Sequence, residues 1–257
     1  MKVASLATLA KVTVGVLLLW AGPSAQAAEV QGLGLVSLKS SFDVLVPQFE
    51  QATGHRVTIN YDGSSDLLKR FVAGERFDVA LASSLFMDRL IKEGKVAAGT
   101  RADLARVAIG VGVKKGAPRP DISTADAFKR ALLKAKSVSH ASEGPSGVYL
   151  QTLLKRLGIS EEMQPKLRPV PGGPFVVGPV AKGEVELAII TIPFIVLNPG
   201  ADLVGPLPDE LQEYVVYSAG VSPTARDSSA ATALLRHISA PRAAPVYRSQ
   251  GLDPISR

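Results

Sequence analysis

The chain has 257 residues, a net charge of +6, no cysteine, and three widely separated histidines, His55, His140 and His237. Disulfides and thiolate metal sites are excluded, and scattered histidines give no zinc-ligand spacing. Basic residues are dispersed among acids, so the chain lacks the clustered Lys/Arg surface that nucleic acid requires.

The first segment reads as an export signal. Lys2 and Lys11 make a positive start, and Val12 to Ala21 is an apolar core too short to cross a bilayer comfortably. Ala25-Gln26-Ala27 then supplies the small residues a signal peptidase reads. Residues 1–27 are therefore expected to be a signal peptide, and the mature protein a soluble periplasmic monomer beginning near Ala28. No cysteine follows the apolar core, which excludes a lipoprotein anchor. Cleavage removes two lysines and no acid, lowering the net charge from +6 to +4. A mildly cationic chain of about 230 residues suits two lobes and a small anionic ligand.

The mature chain alternates β-rich runs with helical patterns, which predicts an α/β fold with largely parallel sheets. Val30 to Val36 reads as a strand. Phe42, Leu45, Val46 and Phe49 recur at helical spacing, Gly54 closes that helix, and Pro47 within it predicts a kink. Arg56 to Tyr61 is a second strand, followed by a helix lined by Leu67, Leu68, Phe71 and Val72. Phe77 to Leu81 is a third strand, and Phe86, Leu90 and Ile91 mark the helix ended by Gly94. Val107 to Val113 is an apolar run whose glycines weaken it as an ordinary strand. A lobe boundary is expected there.

The second lobe opens with a helix over Asp121 to Lys136, capped by Ser123 and Asp126. Ser137 to Ala141 is a strand, and Leu150, Leu153, Leu154 and Leu157 form one face of the next helix, which Gly158 ends. Val185 to Ile190 is a buried strand, Glu213 to Val221 a return crossing, and Ala230 to Ile238 the last helix. These elements predict two lobes, residues 28–111 plus 218–257 and residues 112–217, joined by a hinge of two crossings. A ligand would sit between them.

Three serine-bearing turns stand where a strand hands over to a helix: Ser37-Leu38, Gly63-Ser64-Ser65 and Gly144-Pro145-Ser146-Gly147. A helix start offers unpaired N–H groups and partial positive charge, and hydroxyls add neutral donors. Aimed at one cleft, three such ends would hold an anion with neither metal nor cofactor, and neither is expected here. Serines at these positions also serve as plain caps, which is their commonest role.

The order and spacing of these segments resemble the type II periplasmic solute-binding proteins, and within them the molybdate-binding branch. The likeness rests on Ser37-Leu38, Phe49-Glu50-x-x-Thr53-Gly54, Gly63-Ser64-Ser65-x-Leu67, Phe77-Asp78-Val79-Ala80, Ser146-Gly147-Val148-Tyr149 and Gly183-Glu184-Val185-Glu186-Leu187-Ala188. It covers nearly the whole mature chain. It implies ligand contacts from Ser37 and Ser65 (or Ser64) in the first lobe, and from Ser146, Gly147 and Val148 in the second. Thr191 stands close to where molybdate binders place a tyrosine. That tyrosine is missing, Lys39 replaces a small polar residue beside Ser37, and Asp66 replaces a glycine. These departures favour a polycarboxylate over molybdate, with Lys39 available to pair a carboxylate. Leu203 to Gln212 and Tyr217 to Val221 resemble a divergent subfamily that also includes periplasmic aconitate isomerase.

Two functions follow from these expectations. The first is capture of a small anion for an inner-membrane ABC permease. The second is allylic proton transfer on an unsaturated tricarboxylate, which needs a positioned base and donors for the neighbouring carboxylate. His140, Glu143, Lys39 and Tyr149 are the candidate bases, His140 being the expected catalytic residue if the protein is an isomerase, and spacing does not choose among them. No nucleophile–base dyad has recognisable spacing, which argues against a hydrolase.

Overall fold

A computed structural model describes residues 27–255. The expected signal peptide therefore lies outside the described residues except for Ala27. The first half runs β1 (Glu29–Leu35), α1 (Lys39–Thr53), β2 (Arg56–Asp62), α2 (Ser64–Val72), β3 (Val79–Ser83), α3 (Ser84–Lys92) and β4 (Ala102–Lys114). Then come α4 (Ala125–Lys134), β5 (Val138–Ala141), α5 (Pro145–Arg156), α6 (Ser160–Met163), β6 (Leu167–Val170) and α7 (Gly173–Lys182). The chain continues through β7 (Leu187–Thr191), α8 (Ile192–Val196), β8 (Ala201–Pro206) and β9 (Tyr214–Val221). It closes with α9 (Ser228–Ser239), α10 (Ala244–Ser249) and the short β10 (Asp253–Pro254).

The protein is a mixed α/β structure with a curled sheet. β1 pairs in parallel with β2 and β3, and β5 in parallel with β6 and β7, as strands joined through helices do. β4 and β9 break the expected parallel pattern, because each runs antiparallel to every strand it pairs with. Strands that carry the chain between halves must run against their neighbours, so the sheet is mixed rather than largely parallel.

β4 also makes the hydrogen-bonded path continuous from one half of the chain to the other. Residues 102–108 of β4 pair with β9, whereas residues 109–114 pair with β7 and β8. The apolar core divides at the same place. Val107 packs with β1, β3, α1 and α9, and Ile109 with α4, α5 and β7. Gln212, just before β9, bonds both backbone groups of Ile109, its Oε1 accepting at 3.0 Å and its Nε2 donating at 2.9 Å. The two crossings are thus tied at the residue where β4 changes partners.

Local signals explain most elements. Phe42, Leu45 and Phe49 give α1 a buried stripe, and the helix continues through Pro47. The cap of α4 differs from expectation. Thr124 Oγ1, not Ser123, accepts from Ala127 N, because Ser123 is drawn into a turn with Asp121. α9 returns to the first core, where Ala230, Leu234 and Ile238 are buried against α1 and β1. Asp78 anchors that return, accepting from the backbone of Gln31 and from both the backbone and guanidinium of Arg226.

Candidate functional site

Four strand ends and one loop converge on a small cavity of about 50 Å³. β1 delivers Ser37 in the single turn that follows it, and β2 delivers Gly63 and Ser64. β5 delivers Gly144, Pro145 and Ser146, β7 delivers Thr191, and Gly173-Pro174 bring the start of α7. β9 crosses beneath and adds Val215 and Tyr217.

The helix starts supply donors for a reason fixed by backbone geometry. The first bonds within α2 and α5 run from Leu67 N to Gly63 O at 2.9 Å and from Val148 N to Gly144 O at 3.0 Å. The amides of Ser64, Ser65 and Asp66, and of Ser146 and Gly147, precede those bonds and have no helical acceptor. Pro145 and Pro174 donate nothing and fix the first-turn φ instead. Gly144 takes φ +84°, a conformation costly for other residues, and a side chain there would meet Ser64 Oγ at 3.1 Å. The two helix starts from opposite halves therefore nearly touch.

Hydroxyls dominate the wall. Thr191 Oγ1 is buried without a hydrogen-bond partner, a rare condition in a packed interior. The buried Tyr217 phenol lies beside Ser37 and Thr191. Burial raises its pKa, and the two hydroxyls only partly offset that, so Tyr217 stays a neutral donor. The contact between Tyr217 and Thr191 does not complete a hydrogen bond, and Oγ1 has no other partner among the described residues. Among the described residues, Glu143 is the one charged residue lining this cavity, and no Lys, Arg or His does so. Among the described residues, no group of His, Asp or Glu could hold a metal ion.

The small cavity opens into a larger cleft of about 1100 Å³ between α2 and α3 on one side and α5 on the other. The sequence-derived candidates divide among these spaces. Ser37, Ser64, Ser146 and Thr191 line the small cavity, whereas Ser65 and Val148 line the larger cleft. Gly147 packs its α-carbon against the end of β5, where an added Cβ would stand 2.1 Å from Ala141 O. Lys39 lines neither space. It pairs with Asp43 at 2.7 Å, and its ammonium stands 6.0 Å from the Tyr61 ring centroid.

The base candidates also separate. His140 is buried in β5, Nδ1 bonded to Ala141 O at 2.8 Å, and it lines neither space. Its pKa is lowered by burial, against the opposing effect of the Ala141 carbonyl. Tyr149 lines the larger cleft but donates its hydroxyl to Leu211 O. Glu143 alone of the four reaches the small cavity. Sequence reasoning missed Tyr217, the α7 start at Gly173-Pro174, and Phe194, whose ring covers Gly173. Pro171-Gly172-Gly173-Pro174, written as Pro-Gly-Gly-Pro, was a usable signal, since proline sits well inside a helix start.

Comparison with known proteins agrees with this architecture. The chain is 34% identical over 256 residues to an aconitate isomerase of a Pseudomonas species, covering 96% of this chain and 97% of that one. It is 27% identical over 236 residues to the molybdate-binding protein ModA of Azotobacter vinelandii, covering 89% and 91% of the two chains. The solved periplasmic molybdate-binding protein of Azotobacter vinelandii superposes with a TM-score of 0.73 at 17% identity, over 89% of this chain and 100% of that one. The model of the family described as bacterial extracellular solute-binding protein matches residues 35–253, and the chain belongs to that family.

Proposed function

We propose that this chain is an exported, monomeric binding protein that captures a small organic polycarboxylate and passes it to an ABC permease. The observation that carries this reading is a cavity of hydroxyls and helix starts in which, among the described residues, Thr191 Oγ1 has no partner and no cation lines the wall. Oriented neutral donors stabilise an anion in a confined space without the desolvation cost of burying a lysine or arginine. A ligand that binds only the folded state stabilises it by about 2.7 kcal/mol at a hundred times its Kd. For a chain of this size that corresponds to roughly 5–10 °C in melting temperature. A thermal-shift panel of citrate, tricarballylate, both aconitate isomers, molybdate and tungstate tests the reading. A shift with the oxyanions and none with the polycarboxylates would reverse it.

A second reading is favoured by Glu143 together with the 34% identical aconitate isomerase. A carboxylate on the wall of an anion cavity suits allylic proton transfer. The base takes a proton from the ligand CH₂, the electron pair delocalises toward the neighbouring carboxylate, and the double bond shifts. Reprotonation at the former vinylic carbon then yields the isomer, with no oxidant or reductant. The hydroxyls would hold the carboxylate into which charge moves. Incubation with trans-aconitate, followed by chromatography for cis-aconitate, decides between the readings. Equilibration establishes turnover, and tight binding without interconversion over hours leaves capture alone.

A further inference from the structure

We infer that Glu143 sets the specificity of the site, selecting an organic anion that turns a C–H or O–H toward it over a fully ionised tetrahedral oxyanion. The inference rests on the anion-binding reading above. It starts from the way the two spaces join. Leu35, Ser64, Glu143, Gly144, Pro145 and Val215 line both the small cavity and the larger cleft, so they form the neck between them. Every other polar side chain on the small cavity, from Ser37 to Tyr217, can donate a hydrogen bond. Ionised Glu143 can only accept.

A tetrahedral dianion is an acceptor in every direction. Seated in a cavity of about 50 Å³, it cannot avoid facing an oxygen toward the neck. Like charges repel, and among the described residues no cation lines the cavity to offset them. Lys69, across the cleft on α2, bonds Asp66 at 2.8 Å, and Asp66 dominates its raised pKa while the charge of Glu143 contributes least. Among the described residues, Glu143 has no ion pair of its own. An organic anion escapes the conflict. Its carboxylate seats against Ser37, Thr191 and Tyr217, and the adjoining carbon, carrying hydrogen or a hydroxyl, passes Glu143.

The larger cleft suits what remains of such a ligand. Its walls include Val72, Leu85 and Val148, all largely exposed, with Leu85 78% and Val148 63% accessible. Apolar side chains left open beside an anion cavity fit a carbon skeleton, whereas a bare oxyanion uses none of them. Glu143 stands where headgroup and skeleton meet.

The test compares wild type with Glu143→Gln, an isosteric and neutral change at an exposed position. Calorimetric titration with tungstate, sulfate, citrate, tricarballylate and trans-aconitate gives the selectivity. Wild type is expected to bind at least one polycarboxylate tenfold or more tighter than tungstate. Glu143→Gln, whose amide can donate, is expected to raise tungstate or sulfate affinity at least tenfold. Polycarboxylate binding with no change in oxyanion affinity in the variant overturns the inference and leaves the anion reading standing. Wild type that prefers tungstate overturns it as well, and wild type that binds none of the five overturns both.

Discussion

Gly147 and Ala141 approach so closely that a Cβ on the first would stand 2.1 Å from the carbonyl oxygen of the second. Backbone, not a flexible side chain, is the obstacle, so the start of α5 must move to admit any substituent. That start carries Ser146 and the free amides of the second half of the site. Gly147→Ala is therefore expected to cost about 2–3 kcal/mol of stability through overpacking. Ligand affinity is expected to fall at least tenfold. Denaturant unfolding and calorimetry check the two effects, and an unchanged variant would show that α5 adapts freely.

Asp78 and Arg226 offer a test far from the cavity. Burial raises the pKa of Asp78, but the Arg226 guanidinium and the amides of Gln31 and Arg226 outweigh it, and the net shift is downward. An acid with a depressed folded pKa contributes stability above its unfolded value of about 3.9 and loses it as pH falls through the folded value. Asp78→Asn should cost roughly 1–3 kcal/mol at pH 7, the range for an impaired buried hydrogen-bond acceptor. The difference from wild type should shrink below pH 4. A gap that stays constant from pH 7 to pH 3 contradicts this assignment.

His140 titrates in the other accessible window. Its folded pKa lies below the ordinary value because burial disfavours the charged ring, so the unfolded chain binds more protons on acidification. Stability held above about pH 6.5 is then lost as pH falls toward the folded pKa. His237 shifts the same way, through burial and the nearby Arg242 charge, and adds to the slope. His140→Gln should flatten part of the stability decline between pH 7.5 and 5.5. Because His140 lines neither space, ligand affinity should change less than about fivefold, and any turnover should persist. Loss of turnover with binding intact would instead identify His140 as the base.

The helix starts at Ser64 and Ser146 were legible because glycine and proline beside serine mark where a strand ends and a helix begins. Residue identity did not give side-chain direction. Lys39 follows the Ser37 turn in sequence, yet its place in the first turn of α1 carries it to Asp43 one turn on. Ser64 and Ser65 are adjacent, but neighbours on a helix point about 100° apart, so Ser64 reaches the small cavity as well as the cleft, whereas Ser65 lines the cleft alone. Tyr217 sits in a continuous apolar crossing, where a buried tyrosine reads as packing. Its proximity to Thr191 depends on β4 bringing β9 and β7 together, a long-range pairing that no local pattern encodes.

Thr191 and Tyr217 allow stability and binding to be pulled apart. Thr191 Oγ1 is buried with no hydrogen-bond partner among the described residues, a condition that costs about 1–3 kcal/mol for a buried polar group. Valine keeps the shape and removes the hydroxyl. Thr191→Val is therefore expected to leave the free protein as stable or up to about 1 kcal/mol more stable. Its ligand affinity should fall about tenfold, because a donor reserved for the ligand is gone. Tyr217→Phe should behave similarly for affinity while keeping the buried ring, since the phenol is neutral and acts through its hydrogen. Melting curves with and without saturating ligand measure both quantities on the same samples. A site built to hold an anion gives smaller ligand-induced shifts in both variants and no loss of stability without ligand for Thr191→Val. Destabilised free Thr191→Val with unchanged ligand response would mean that the hydroxyl serves the fold, and that the anion is held elsewhere.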